Sequence, residues 1–87
     1  MSYTVYILYS NKDKKLYVGC TSNINGRINR HNTGQVTATK YRRPLYLIHT
    51  ELFEDKAEAF NRERFLKSLW GSREKEKIKM HWLAQTK

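Results

Sequence analysis

The chain has 87 residues, a length that fits one domain, here residues 1–87 with a modest core over about residues 3–83. Its one cysteine, Cys20, excludes an intramolecular disulfide and favours a reducing compartment. No apolar run approaches the roughly 20 residues of a membrane-spanning helix, and the amino terminus has no signal pattern, so we expect a cytoplasmic protein that does not bind membranes.

The formal net charge is +9, and it is unevenly distributed. Residues 1–50 carry eight basic residues against one acidic residue, whereas residues 51–87 carry nine against seven. A basic surface attracts polyanions, because binding releases counterions and the field steers association. The charge therefore predicts a nucleic-acid partner, without deciding between DNA and RNA.

The first fifty residues begin with a predicted hairpin. Residues 3–10 are rich in tyrosine, valine, isoleucine and leucine and are typical of a strand, and residues 15–20 form a second strand after a polar turn. Apolar residues on both faces of the first strand predict a central position in the sheet.

A short helix is predicted next. Ile24 and Ile28 are four residues apart and should face the core. Arg27 and His31 have the same spacing and should form a polar row along the edge of the buried face. The candidate caps are Ser22 or Asn23 at the start and Asn32 or Gly34 at the end.

The second half predicts a strand and two helices. Residues 35–44 form a basic loop, residues 45–52 form the third strand, and Asp55 caps a helix that should run to about Trp70 and stop at Gly71. Ser72 should cap a last helix docked by Ile78, Trp82 and Leu83. The element order β-β-α-β-α-α predicts an α+β fold, a small three-stranded antiparallel sheet flanked by helices.

Glu63 is the most informative acidic residue. On a helix it falls on the same side as Ala59, Leu66 and Trp70, so its carboxylate should be partly buried. Burial of a carboxylate is costly unless it is paired or binds a metal. Two explanations remain open, an ion pair with Lys67 four residues later or a metal site.

Four further side chains are candidates for chemistry on a phosphodiester. Tyr6 and Tyr17 should face each other across the hairpin, Arg27 can grip a phosphate, and His31 can act as an acid or base near neutral pH. Each also has a structural explanation. The tyrosines can be a packing pair, the arginine a solvated helix residue, and the histidine a group favoured by the helix dipole.

The ordered set resembles the GIY-YIG nuclease family, in particular its small stand-alone bacterial members. The resemblance is carried by Thr4-Val5-Tyr6, Tyr17-Val18-Gly19, Arg27, His31 and Glu63. Two departures are that Thr4 replaces the signature glycine and that Cys20 stands where some relatives have a lysine.

This resemblance implies a metal-dependent endonuclease that hydrolyses phosphodiester bonds, with DNA favoured over RNA and a role in DNA repair or processing. Glu63 would hold Mg²⁺ or Mn²⁺, Arg27 would stabilise the transition state, and either Tyr6 or Tyr17 would help to remove a proton from water. The substrate contacts would be Lys40, Tyr41, Arg42, Arg43 and Lys67. The alternatives are a non-catalytic nucleic-acid-binding module with the same fold and an accessory protein that docks a protein partner; such a partner could also supply substrate targeting.

Overall fold

The computed structural model describes residues 2–85; Met1, Thr86 and Lys87, at the ends of the predicted domain, lie outside the described residues. The elements are β1 (Tyr3–Ser10), β2 (Leu16–Thr21), α1 (Ile24–Asn32), β3 (Leu45–Phe53), α2 (Lys56–Lys67), a 3₁₀ turn (Leu69–Gly71) and α3 (Ser72–Gln85). This order confirms the predicted fold, and each strand lies within one residue of its predicted bounds.

The three strands form one antiparallel sheet in the order β2-β1-β3. β1 therefore lies in the centre, as its two apolar faces predicted. The β1–β3 register shifts between Ile7 and Leu8, which pair with His49 and Leu47. Ile48 is the extra residue of this bulge, and it packs against the core.

The two faces of β1 enter two different clusters. Val5 and Ile7 pack with Ala59 and Leu66 beneath α2, and Ile78 of α3 joins them at the margin. Alternate residues point to the other face. On that face a second cluster lies beneath α1. It comprises Tyr6, Leu8 and Leu45, with Tyr17, Ile24 and Ile28 at its margin.

The helix starts follow the predicted capping chemistry. The Asn23 side chain accepts a hydrogen bond from the Gly26 N–H at the start of α1, and Asp55 accepts one from Ala57 at the start of α2. After α1, Gly34 takes the left-handed conformation with φ +80° that glycine tolerates. Of the alternatives predicted for α1, the structure has Asn23 as the cap at the start and Asn32 as the last helical residue.

The end of α2 was predicted wrongly. The helix stops at Lys67, three residues before Trp70, and a 3₁₀ turn follows. Gly71 is buried against the backbone of Phe65 and Leu66, where a β-carbon would overlap with main-chain atoms. This close approach turns the chain back, and it leaves Trp70 85% exposed rather than on the buried stripe.

The last helix packs against the sheet through aromatic contacts. The Trp82 ring lies 5.4 Å from that of Tyr9 and 5.9 Å from that of Tyr46, measured between centroids. The predicted capping role of Ser72 was wrong, because its hydroxyl donates to the Leu69 carbonyl. No helix in residues 2–85 is long and apolar enough to span a membrane.

Candidate active site

The α1 face of the sheet buries a chain of polar side chains. The Tyr6 hydroxyl lies 3.0 Å from His31 Nε2, and His31 Nδ1 lies 2.7 Å from the Thr39 hydroxyl. All three residues have no exposed surface. The prediction that His31 lies at the edge of the buried face was therefore wrong, because the loop after α1 folds over the imidazole and closes it in.

The hydrogen-bond directions along this chain can be assigned from its outer end. The Thr39 hydroxyl is placed to donate to the Val36 carbonyl at 3.5 Å, so its oxygen accepts from His31 Nδ1–H. His31 Nε2 then has a free lone pair and accepts from the Tyr6 hydroxyl. The neutral imidazole is thus held in one tautomer, with its basic nitrogen facing Tyr6.

Tyr17 completes an aromatic group around this chain. Its ring centroid lies 6.4 Å from that of Tyr6 and 5.1 Å from that of His31, the latter in an edge-to-face arrangement. The prediction that the tyrosines face each other directly was wrong. Tyr6 pairs with Gly19 and Leu8 pairs with Tyr17, so the tyrosines are diagonal neighbours.

Gly19 has a specific steric role in this arrangement. A β-carbon at this position would overlap with the hydroxyl and the ring of Tyr6. The second signature therefore places a glycine where the Tyr6 phenol must cross the face of β2. It was noted in the sequence as part of a motif, and the structure gives its physical reason.

Arg27 connects the aromatic group to solvent. Its guanidinium acts on the Tyr6 hydroxyl and opposes the rise of the Tyr6 pKa. It also lines a polar groove of about 210 Å³ together with Arg30 and the residues at the start of α1. Two guanidinium groups in one polar groove suit a phosphate, since arginine binds phosphate oxygens in pairs.

Glu63 approaches the same region from α2. Its side chain is 19% exposed, and its Oε2 lies 3.1 Å from Lys67 Nζ, so the predicted ion pair is formed. The carboxylate also acts electrostatically on Tyr6 and on Cys20, the neighbour of Gly19 on β2. Tyr6, Tyr17, Arg27 and His31 thus lie together on the α1 side of the sheet, and Glu63 acts on Tyr6 from α2 only through its charge.

Burial governs the protonation of this group. It is the main cause that raises the pKa of Tyr6 to about 12, with Tyr17 adding to the effect and Arg27 opposing it. Burial also lowers the pKa of His31 below its usual 6.5, and the Arg27 charge lowers it further. Near neutral pH, Tyr6 is thus a protonated phenol and His31 a neutral imidazole.

The donors near Glu63 suit a hard cation held by few protein ligands. Within residues 2–85, no three histidine, cysteine, aspartate or glutamate side chains lie close enough to form a metal cage. Burial and Glu63 raise the pKa of the Cys20 thiol, so this side chain is not a thiolate ligand. One carboxylate with phosphate and water oxygens is a usual arrangement for Mg²⁺.

The predicted basic loop divides into two parts. Tyr41 is 74% exposed with Lys40 Nζ 4.9 Å above its ring, whereas Arg43 is exposed and donates to the Lys40 carbonyl. Arg42 instead binds Asp13 at 2.6 Å and the Leu16 carbonyl at 3.3 Å. Its guanidinium therefore ties the loop to the hairpin.

Thr39 is the residue of this site that the sequence did not reveal. It fixes the tautomer of His31 from eight residues away, in a loop without periodic pattern. A buried threonine partner has no spacing signal, because the loop conformation alone brings it to the imidazole.

Comparison with known proteins identifies a family for this chain. A model of the GIY-YIG catalytic domain matches residues 2–79. UPF0213 proteins of Staphylococcus aureus strains Mu3 and USA300 are each 41% identical over 68 residues, covering 77% of this chain and 82% of theirs. The solution NMR structure of a UPF0213 protein from Bacillus halodurans superposes with a TM-score of 0.57 at 32% identity, covering 92% of this chain and 85% of that one.

Proposed function

The chain belongs to the GIY-YIG nuclease family, and we propose that it is a divalent-metal-dependent endonuclease that hydrolyses phosphodiester bonds in DNA. The observation that supports this proposal is the buried Tyr6–His31 hydrogen bond, on which Arg27 acts at close range and Glu63 through its charge. A guanidinium, a carboxylate and oriented phenols at one edge of a basic protein match the needs of phosphoryl chemistry.

Arg27 and Glu63 are the charged residues assigned to stabilise negative charge on the phosphate during the reaction. A metal ion held by Glu63, Mg²⁺ or Mn²⁺, would neutralise charge on the phosphate oxygens. Arg27 donates to the same phosphate from the groove that it shares with Arg30. Its guanidinium also acts on the Tyr6 hydroxyl, so the groove adjoins the buried tyrosine.

The two tyrosines take different parts. Tyr6 is fully buried and its pKa is raised to about 12, so we assign to it the positioning of His31 through their hydrogen bond. Tyr17 is partly exposed and lies against both Tyr6 and His31. We therefore assign to Tyr17 the orientation of the attacking water and the acceptance of its hydrogen bond.

Substrate binding would extend along the loop that follows α1. Lys40, Tyr41 and Arg43 are available to contact the nucleic-acid backbone or an exposed base. Lys67 adds a cation 52% exposed beside Glu63. These contacts, like DNA repair or processing as the biological role and a cytoplasmic location, are part of the proposal.

The test is cleavage of nicked, branched and single-stranded DNA by the purified protein in Mg²⁺ or Mn²⁺. Glu63→Gln and Arg27→Ala should each lower the rate by about a hundredfold or more, the usual effect of removing one transition-state contact. Tyr17→Phe should also lower it. Glu58→Gln and Arg64→Ala are matched controls on exposed positions of α2, and they should cleave normally.

One different outcome would favour the binding module. Cys20 occupies the place beside Glu63 where some relatives carry a lysine, and its thiol stays protonated. Tight, salt-sensitive DNA binding without cutting in either metal would mean that the fold holds nucleic acid and leaves it intact. Cutting that persists at the wild-type rate in Glu63→Gln would contradict the assignment of the metal ligand.

A further inference from the structure

The corner between α2 and α3 presents two large apolar side chains to water. Leu69 is 90% exposed and Trp70 is 85% exposed. The corner is firmly built, because Gly71 is packed under it and the hydroxyls of Ser68 and Ser72 donate to the Phe65 and Leu69 carbonyls. A rigid turn that holds an indole in solvent contributes nothing to the core, so its exposure points to binding.

A groove lined by lysines lies beside this corner. It measures about 250 Å³, and two separate elements supply its charges, with Lys14 and Lys15 in the hairpin turn and Lys75 and Lys79 one helical turn apart on α3. Glu76 is the acidic side chain in its lining. Among residues 2–85, no salt bridge engages any of the four lysines.

The corner and the groove form one continuous surface. Ser72 lines the lysine groove and also a cavity of about 440 Å³ formed with Leu69, Trp70 and Arg73. We call the whole the Trp70–lysine surface. An exposed aromatic ring that continues into a basic groove is the combination that binds single-stranded nucleic acid, with the ring stacking on a base and the cations following the phosphates.

This surface and the tyrosines of the candidate active site lie on the two sides of the same edge strand, β2. Leu16, in the floor of the groove, packs towards α2 and α3, whereas its neighbour Tyr17 packs towards α1. β2 has no strand beyond it in the described sheet. A nucleic-acid strand can therefore reach both sites by passing around this open edge of the sheet.

We propose that the Trp70–lysine surface binds a single-stranded segment of the substrate, with one unpaired base stacked on Trp70 and phosphates held by Lys75 and Lys79. The inference rests on the proposed function in naming the substrate of the candidate active site. It assigns to the protein a preference for nucleic acid with an unpaired segment next to the bond that is cut.

The experiment measures binding of fluorescein-labelled twelve-nucleotide oligothymidine in EDTA, where no cutting occurs. Trp70→Ala should weaken binding about tenfold, equivalent to about 1.4 kcal/mol, and Trp70→Phe should restore most of it. Lys75→Gln with Lys79→Gln should reduce the salt slope by about 1.4, at about 0.7 per phosphate contact. Lys77→Gln is the control for each single lysine variant, because Lys77 carries one charge on α3 and lines a different cavity.

Two further measurements separate stacking from charge and from folding. Heparin has charge without bases, so Trp70→Ala should leave its binding unchanged. Urea unfolding should be nearly the same for Trp70→Ala and the wild type, since the side chain is exposed. Equal losses for heparin and oligothymidine, or wild-type oligothymidine binding by Trp70→Ala, would overturn the proposal.

The outcomes also distinguish this inference from the proposed function. Cleavage that depends on Glu63 but is indifferent to Trp70, with unchanged oligothymidine binding, would keep the endonuclease and reject this surface. Trp70-dependent binding without any cleavage would keep the surface and reject the endonuclease. A Trp70→Ala protein that binds oligothymidine normally but changes its sedimentation would show that the corner joins protein copies, which contradicts the proposal.

Discussion

The two faces of β1 pack against clusters of different residue types. On the α2 side, Val5 and Ile7 enter an apolar cluster closed by Leu66. On the α1 side, Tyr6 enters a cluster in which His31 is fully buried. The first face gains stability from area removed from water, whereas the second buries polar groups that must satisfy one another. The difference distinguishes a face that mainly stabilises the fold from a face that carries four of the five candidate catalytic residues, with Glu63 supplied by α2.

The titratable groups on the two faces follow the same division. On the α2 side, Arg62 pairs with Glu51 and with Glu74, and His49 also contacts Glu51. Hydrogen bonds from Arg62 lower the pKa of Glu51, as in an ordinary ion-pair network at the rim. On the α1 side, burial is the main cause of the shifts at Tyr6 and His31. Groups shifted by burial in this way are typical of functional sites.

The largest effect on stability should come from truncating a buried side chain on the apolar face. Leu66 has no exposed surface, and Leu66→Ala should lower the free energy of unfolding by about 2–5 kcal/mol, the cost of a core cavity. Leu52→Ala removes the same atoms from a side chain that is 71% exposed and should change stability little. Urea unfolding measures both, and equal effects would mean that the assigned core is wrong.

A smaller effect on stability, with a larger one on activity, should come from Gly19. Gly19→Ala places a methyl group against the Tyr6 phenol, and overpacking of this kind typically costs about 1–3 kcal/mol. We expect cleavage to fall more than stability, since Tyr6 holds His31 through a hydrogen bond. In a Tyr6→Leu background the cost of Gly19→Ala should largely disappear. A cost that is the same in both backgrounds would contradict the steric role of this glycine.

The comparison of the two faces also shows which features of the structure can be predicted from the sequence. The central position of β1, the hairpin and the caps at Asn23 and Asp55 all follow from local patterns, and all are confirmed. The partial burial of Glu63 followed from helical spacing alone. Periodicity and capping chemistry are local, so short stretches of sequence specify them.

Tertiary contacts account for what the sequence did not predict. α2 ends early because Gly71 packs on Phe65 and Leu66, and helical periodicity does not predict this contact. His31 is closed in by Thr39, which only the fold of the loop brings near. The diagonal placement of Tyr6 and Tyr17 depends on strand register, since a shift of one residue changes every cross-strand partner.

The smallest effect is a pH dependence that only the α1 face should produce. Burial keeps the folded-state pKa of His31 below 6.5, so the unfolded chain takes up a proton first as the pH falls. Stability contributed by the neutral imidazole is therefore complete above pH 6.5 and is lost as the pH falls towards the folded-state pKa, by at most about 1.4 kcal/mol per pH unit. His31→Gln should remove this slope in urea unfolding between pH 7.5 and pH 5, whereas His81→Gln, at an exposed position, should keep it. If the slope survives in His31→Gln, the imidazole takes up its proton in the folded state as easily as in the unfolded one, and the buried chain from Tyr6 to Thr39 does not hold it neutral.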